Sequence, residues 1–191
     1  MNTFSWIFLL ALGVSLAIKL WLARRQLQNV AANRARVPDA FADSIQLEAH
    51  QKAADYTITN TLQGRLELVY NSLLLVGWTL GGGLQWLDSS WQQFGWGTIP
   101  TGVAMLVSAF LIMALLELPF SLYHTFVIEE RFGFNKTTPA TFIGDMAKQA
   151  LLMLILGVPL AWAALWLMQE SGHLWWLYLW LLWAGFSLLM L

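Results

Sequence analysis

"ELPFSLYHTFVIEERFGFNKTT", residues 117–138, decides how this chain is read. It opens inside an apolar run, with Glu117 two residues before Pro119, and leaves that run through His124, Glu129, Glu130, Arg131 and Lys136. A cluster of charge at the end of so long an apolar stretch marks the place where a lipid-soluble helix meets water.

Composition agrees with that reading. Of the 191 residues, 58% are hydrophobic and 11% charged, and the mean hydropathy is +0.59. A soluble domain carries roughly 25% charged residues, so the sequence is that of a membrane protein. The net charge of -1 and the absence of a basic stripe set nucleic acid aside as a partner. There is no cysteine, so neither a disulfide framework nor a thiolate zinc site can be built.

Working outward from the hinge, five segments reach the length of about 20 apolar residues that a membrane-crossing helix needs. They are residues 4–22, 66–87, 99–123, 150–168 and 173–191, which predicts an all-α, polytopic transmembrane helical bundle. The first segment has no positive residue ahead of it, has Lys19, Arg24 and Arg25 at its far end, and lacks a small-residue cleavage site. It is therefore read as a retained span, not a signal peptide. Residues 23–65 carry Arg24, Arg25, Arg34, Arg36, Lys52 and Arg65, and residues 124–149 carry Arg131, Lys136 and Lys148. With Lys19 these are all 10 basic residues, and the other two connections have none. The positive-inside rule then makes 23–65 and 124–149 cytoplasmic and leaves the N-terminus outside. Trp86, Trp91, Trp96, Trp175 and Trp176 fall around the outer connections, where amphipathic rings favour the interface.

Local signals refine the helices. Residues 39–65 are rich in Ala, Leu, Gln and Glu and predict a cytoplasmic helix that runs into the second span. Thr138 followed by Pro139 is a helix start, and Gly157 with Pro159 predicts a kink in the fourth span. The sequence stops at Leu191 inside an apolar run, which suggests a piece of a longer polypeptide.

On a helix advancing about 100° per residue, Glu117, Ser121 and His124 share one face. A carboxylate facing lipid is expensive, so Glu117 is expected to point to the bundle interior, to water or to a basic partner. Glu117 and His124 are separated by about 10 Å of helical rise, too far to share one ion. His124 and Glu129, five apart, lie off a common face of an α-helix, and no H-E-x-x-H is present. No metal or catalytic residue is therefore predicted within this chain. His124 is read as a hydrogen-bonded residue at a helix end, with a functional contact as the alternative. Glu129 and Glu130 are either solvated in a loop beside Arg131 or organise a site. Asn135 and Lys136 follow Gly133 in a turn-like stretch, and surface duty and contact with a neighbouring domain both stand.

"LPFSLYHTFVIEERFGFNKTTPATF" closely resembles the segment that marks the N-terminal membrane domain of type I CAAX prenyl proteases, integral-membrane zinc metallopeptidases. Residues 37–57, "VPDAFADSIQLEAHQKAADYT", resemble the stretch before the second helix in bacterial members. The resemblance covers essentially the whole chain. It implies that residues 1–191 are an N-terminal transmembrane domain within a larger helical barrel, without the catalytic zinc domain. Zinc would belong to the intact enzyme, and none to this chain alone. The implied partners are the bilayer, the C-terminal catalytic domain of the same polypeptide and a peptide or prenylated protein substrate. The implied location is a bacterial inner membrane. The resemblance further implies that Glu129, Glu130, Arg131, Asn135 and Lys136 organise the contact with the catalytic domain and that Glu117 lines the chamber. Two other classes stand beside it: a non-enzymatic scaffold or lipid-binding module, and a transporter using Glu117.

Overall fold

A computed structural model describes residues 2–189 of the chain. Six helices carry it, with no strand among the described residues. They are α1 (Thr3–Asn33), α2 (Leu47–Thr79), α3 (Gly83–Gln92), α4 (Thr98–Phe132), α5 (Pro139–Glu170) and α6 (Trp175–Leu189). Of these, α1, α4 and α5 are long and apolar enough to cross a membrane.

The helices fall into two compact units. One holds the residues up to Gly82 together with Glu117–Lys136, and the other holds Gly83–Leu116 and the residues from Thr137 onward. In the first unit α1 and α2 pack side by side. The Asn2 side chain caps α1 by accepting from the Ser5 N–H at 2.9 Å. Where α1 ends, Arg34 grips Asp55 of α2 with two bonds, Nε to Oδ1 at 2.7 Å and Nη2 to Oδ2 at 2.8 Å. The forked guanidinium matches a carboxylate in this way and fixes the register of the pair. His50 adds a contact of 2.9 Å from Nε2 to the Asn33 carbonyl.

α2 is one continuous helix from Leu47, so residues 47–65 of the predicted cytoplasmic helix join the second predicted span without a break, whereas residues 39–46 hold only a 3-10 turn, Asp39–Phe41, and the turns after it. Its far end differs from the sequence reading. The helix stops at Thr79, Gly82 takes φ +81°, and Gly83 opens α3. The predicted span 66–87 therefore crosses a helix boundary, because three consecutive glycines allow the chain to turn where apolar character alone sees no change. Asp88, expected in a loop, lies in α3.

In the second unit, Leu87 and Val103 are buried, and Trp91 donates from Nε1 to Ser108 Oγ at 2.9 Å. Trp91 is thus packed onto α4 and is not a free interfacial anchor, whereas Trp86, Trp96 and Trp176 are exposed as anchors should be. Gly102 lets α4 approach α5: a Cβ there would sit 2.8 Å from Leu165 Cδ1. Small residues permit such close approach in membranes. Thr138 caps α5, its hydroxyl accepting from the Thr141 N–H at 3.1 Å, with Pro139 at the first turn. Ahead of Pro159 the helix widens into a π-helical stretch over Met153–Gly157. The proline cannot donate to the preceding turn, and local π geometry is one way membrane helices absorb that loss.

Few side chains are buried: Ala54, Gln63, Ile128 and Phe132 in the first unit, Leu87 and Val103 in the second. Residues such as Phe4 and Leu10 are more than two-thirds exposed. In lipid there is no hydrophobic drive to bury them, and packing with polar contacts holds helices together instead.

Candidate functional site

The charged hinge closes α4 with an unusual geometry. His124–Glu129 is π-helical, and a short α-helical turn, Glu130–Phe132, follows it. A π-turn bonds residue i to i+5 and brings residues five apart onto one face. His124 Nδ1 therefore lies 3.7 Å from Glu129 Oε1, both side chains about a third exposed. The α-helical expectation that these two lie off a common face is corrected by the π geometry.

Gly133 ends the helix at φ +72°, in the left-handed region where a residue without Cβ is free of penalty. The Glu129 carbonyl then accepts from the N–H of Phe134 at 2.8 Å and of Asn135 at 3.2 Å, which folds the chain back. Asn135 donates from Nδ2 to Glu130 Oε2 at 3.0 Å. The turn is fastened to α2 by aromatic contacts. Tyr56 meets Phe132 edge-on at 5.3 Å between ring centres and Phe134 at 4.9 Å, and the Lys52 ammonium stands 5.3 Å from the Phe134 ring. Ile128, only 1% exposed, is the most deeply buried residue described, and it belongs to this same π-turn.

Electrostatics tie the hinge to the α1–α2 pair. The Arg34 hydrogen bonds hold the Asp55 carboxyl below its ordinary value against the opposing cost of desolvation, and the Arg131 charge lowers it further. Arg34 is correspondingly raised, chiefly by its bond to Asp55. Arg131 is exposed, with its guanidinium carbon 5.7 Å from the Phe132 ring centre. Lys136 is exposed beyond the turn.

Above the turn, still within the first unit, an open cleft of about 320 Å³ is lined by Glu67, Asn71, Glu117, Phe120, Ser121 and His124. The predicted stripe of Glu117, Ser121 and His124 does share a face, and α2 completes the cleft opposite it. Glu67 sits well inside α2, which begins at Leu47. It accepts from Gln63 Nε2 at 2.5 Å, and the same amide donates to the Phe120 carbonyl of α4 at 3.1 Å. Gln63 is 6% exposed, and its Oε1 has no partner. Glu117 itself is exposed, and among the described residues no ion pair involves it.

The α2 side of this cleft was missed from the sequence. Its signal is present in "NTLQGRLELVYN", residues 60–71, where Asn60, Gln63, Glu67 and Asn71 recur at three- and four-residue spacing. Such a stripe is one helix face. Of the seven predicted site residues, Glu117 and His124 line the cleft, Glu129 pairs with His124, and Glu130 and Asn135 bond each other. Arg131 and Lys136 are exposed and do not line the cleft.

A family model described as the CAAX prenyl protease N-terminal domain, with five membrane helices, matches residues 26–191. The chain belongs to that family. It is 32% identical over 150 residues to the CAAX prenyl protease 1 homolog of Caenorhabditis elegans, covering 78% of this chain and 33% of that protein. It is 29% identical over 185 residues to the homolog of Mus musculus, covering 92% and 39%. The crystal structure of S. mikatae Ste24p superposes with a TM-score of 0.88 at 21% identity, over 100% of this chain and 45% of that one. That likeness shows the fold. The chain thus spans about a third of the length of the curated CAAX prenyl protease relatives it matches. It is a multi-pass integral membrane protein and carries the family's N-terminal membrane domain.

Proposed function

We propose that this domain forms the chamber wall and substrate access of a zinc metalloendopeptidase that cuts near the C-terminus of a membrane-attached protein, prenylated or other. The observation that carries the reading is the family match over residues 26–191, which contains both the hinge and the cleft. Supporting it, the hinge is rigidly locked to α2 yet leaves Glu130 and Arg131 exposed, as a surface awaiting a neighbouring domain would. Zinc chemistry does not fit the residues present. Among the described residues no three His, Asp or Glu side chains gather as metal ligands, and no step is assigned to them.

Five spans, with 23–65 and 124–149 in the cytoplasm, is the topology this reading adopts from the charge pattern. The partner of the hinge is then a C-terminal catalytic domain of the same polypeptide, and zinc is that domain's cofactor. A bacterial inner membrane is the location drawn from the resemblance of residues 37–57 to bacterial members; the relatives named above are eukaryotic.

The test is the intact mass of the polypeptide from its native membrane, with zinc quantified on the same sample. A mass well above 21.6 kDa with about one zinc per chain supports the protease reading. A mass near 21.6 kDa without zinc moves the assignment to a scaffold or lipid-binding module.

A further inference from the structure

Residues 1–38 contain no aspartate or glutamate, and α1 carries Lys19, Arg24 and Arg25 where its apolar stretch ends. All three are exposed, and among the described residues none of them has an ion pair. α2 brings a fourth cation to the same level. The clasp between Arg34 and Asp55 sets the register of these two antiparallel helices. Arg24 lies ten residues before Arg34 and Arg65 lies ten after Asp55, so each stands about 15 Å along its helix from the clasp. The two arginines therefore share one height in the bilayer.

Arg65 is held differently from Arg34. Gln63 bonds the Phe120 carbonyl of α4, and Arg65, two residues on, lies about 200° around the helix from it, on the α1 side. There its Nε is buried without an acceptor, which wedges the planar group into the seam, while its terminal amino groups are not closed in. Those amino groups meet no carboxylate. The acids nearest in sequence are engaged elsewhere: Asp55 holds Arg34, and Glu67 bonds Gln63 on the α4 side. A cation at the edge of an apolar span turns to the interface for its partner.

That height is the membrane surface. The apolar segments 4–22 and 66–87 end and begin within a turn of Arg24 and Arg65. Trp21, exposed beside them, has the Arg25 guanidinium carbon 5.0 Å from its ring centre, and tryptophan with basic neighbours marks the headgroup layer. We infer that Arg24 and Arg65, with Lys19 and Arg25 close by, seat the phosphate of an anionic phospholipid headgroup at the α1–α2 seam. A guanidinium fork matches the oxygens of a phosphate. A soluble phosphate shares that chemistry, but the surroundings favour the lipid. From Arg65 into the span, Leu66, Val69 and Leu73 form an exposed apolar strip on one helix face, along which the acyl chains of the same lipid lie.

The inference rests on the membrane location of the chain and not on the protease reading, so binding alone tests it. Full-length protein is released for native mass spectrometry from micelles holding phosphatidylglycerol and phosphatidylcholine with matched acyl chains, and the lipids it keeps are identified and titrated. Phosphatidylglycerol should be kept in preference. Arg24→Gln and Arg65→Gln should each weaken that preference about fivefold or more, the factor one cation contributes near anionic lipid. Arg65→Lys should keep part of it by keeping the charge. Arg36→Gln, at an exposed arginine paired with Asp39, should keep all of it. Folding of each variant is checked by circular dichroism and melting temperature. Arg24 is exposed, so its variant decides the matter even where Arg65→Gln unfolds the hairpin. Equal retention of the two lipids, a preference unchanged in Arg24→Gln, or full displacement by inorganic phosphate overturns the inference, the last in favour of a soluble anion.

Discussion

His124 and Glu129 stand five residues apart in sequence and face each other, Nδ1 to Oε1 at 3.7 Å, because the backbone between them is π-helical. The same widening buries Ile128 and delivers Phe132 to Tyr56. One local change in helix geometry thus serves the cleft and the hinge together. His124 lines the former, and Phe132 anchors the latter.

Phe132→Ala tests the packing that follows the π-turn. Phe132 is buried and meets Tyr56 edge-on at 5.3 Å between ring centres. Its truncation should cost about 3–5 kcal/mol, as for other buried Phe→Ala changes. The expected outcome is a protein that still enters the membrane but melts at lower temperature, with Val127→Ala, at a half-exposed position of the π-turn, close to wild type. Equal melting temperatures for Phe132→Ala and the wild type would show that this contact carries no packing.

The Arg34–Asp55 pair predicts a pH dependence of the α1–α2 contact. Asp55 is held below its ordinary value, with the Arg34 bond as the largest cause. A depressed carboxylate contributes stability that is fully present above its unfolded pKa, near 3.9, and lost as pH falls through the lower folded value. The difference in melting temperature between wild type and Asp55→Asn should therefore be constant from pH 8 to 5. It should shrink only below about pH 4. Both side chains are partly exposed, so the difference is small and shrinks in high salt.

Gly133→Ala should destabilise the hinge by about 1–2 kcal/mol, the cost of placing a Cβ in left-handed backbone. Space is not the obstacle, since the nearest atom to the new Cβ would be Lys52 Nζ at 3.9 Å. Amide hydrogen exchange at Phe134 and Asn135, whose N–H groups both donate to the Glu129 carbonyl, reports it locally. Gly133→Asn should be milder, because Asn tolerates this conformation better. Unchanged exchange in the alanine variant would refute the strain argument.

Much of the architecture was legible in the sequence because its signals are local. Thr138 with Pro139 and the Gly157–Pro159 disturbance each act over one or two turns, and the Ala, Leu, Gln and Glu content ahead of the second span favours helix residue by residue. The cleft was only half legible. A 100° wheel finds Glu117, Ser121 and His124, but it assumes α geometry and so separates His124 from Glu129. Which face of α2 meets α4 depends on contacts such as Gln63 to Phe120, 57 residues apart, and no local pattern contains that pairing. The glycine break after Thr79 was visible, yet apolar residues on both sides concealed that one helix becomes two.

Glu130 tests whether the hinge serves catalysis or only packing. It is exposed, and its carboxylate accepts from Asn135 Nδ2 at 3.0 Å, so its removal leaves the aromatic clasp of Tyr56, Phe132 and Phe134 intact. Glu130→Ala in the full-length protein should therefore leave membrane insertion and melting temperature nearly unchanged. Its effect should fall on turnover, by roughly tenfold if the turn positions a neighbouring domain, since small misplacements far from the chemistry are costly. Asn135→Ala should lower turnover in parallel if the effect passes through their shared hydrogen bond, and Glu130→Gln should restore part of it by keeping an acceptor oxygen. Full turnover by Glu130→Ala in a purified assay would return this residue to the role of a solvated surface charge.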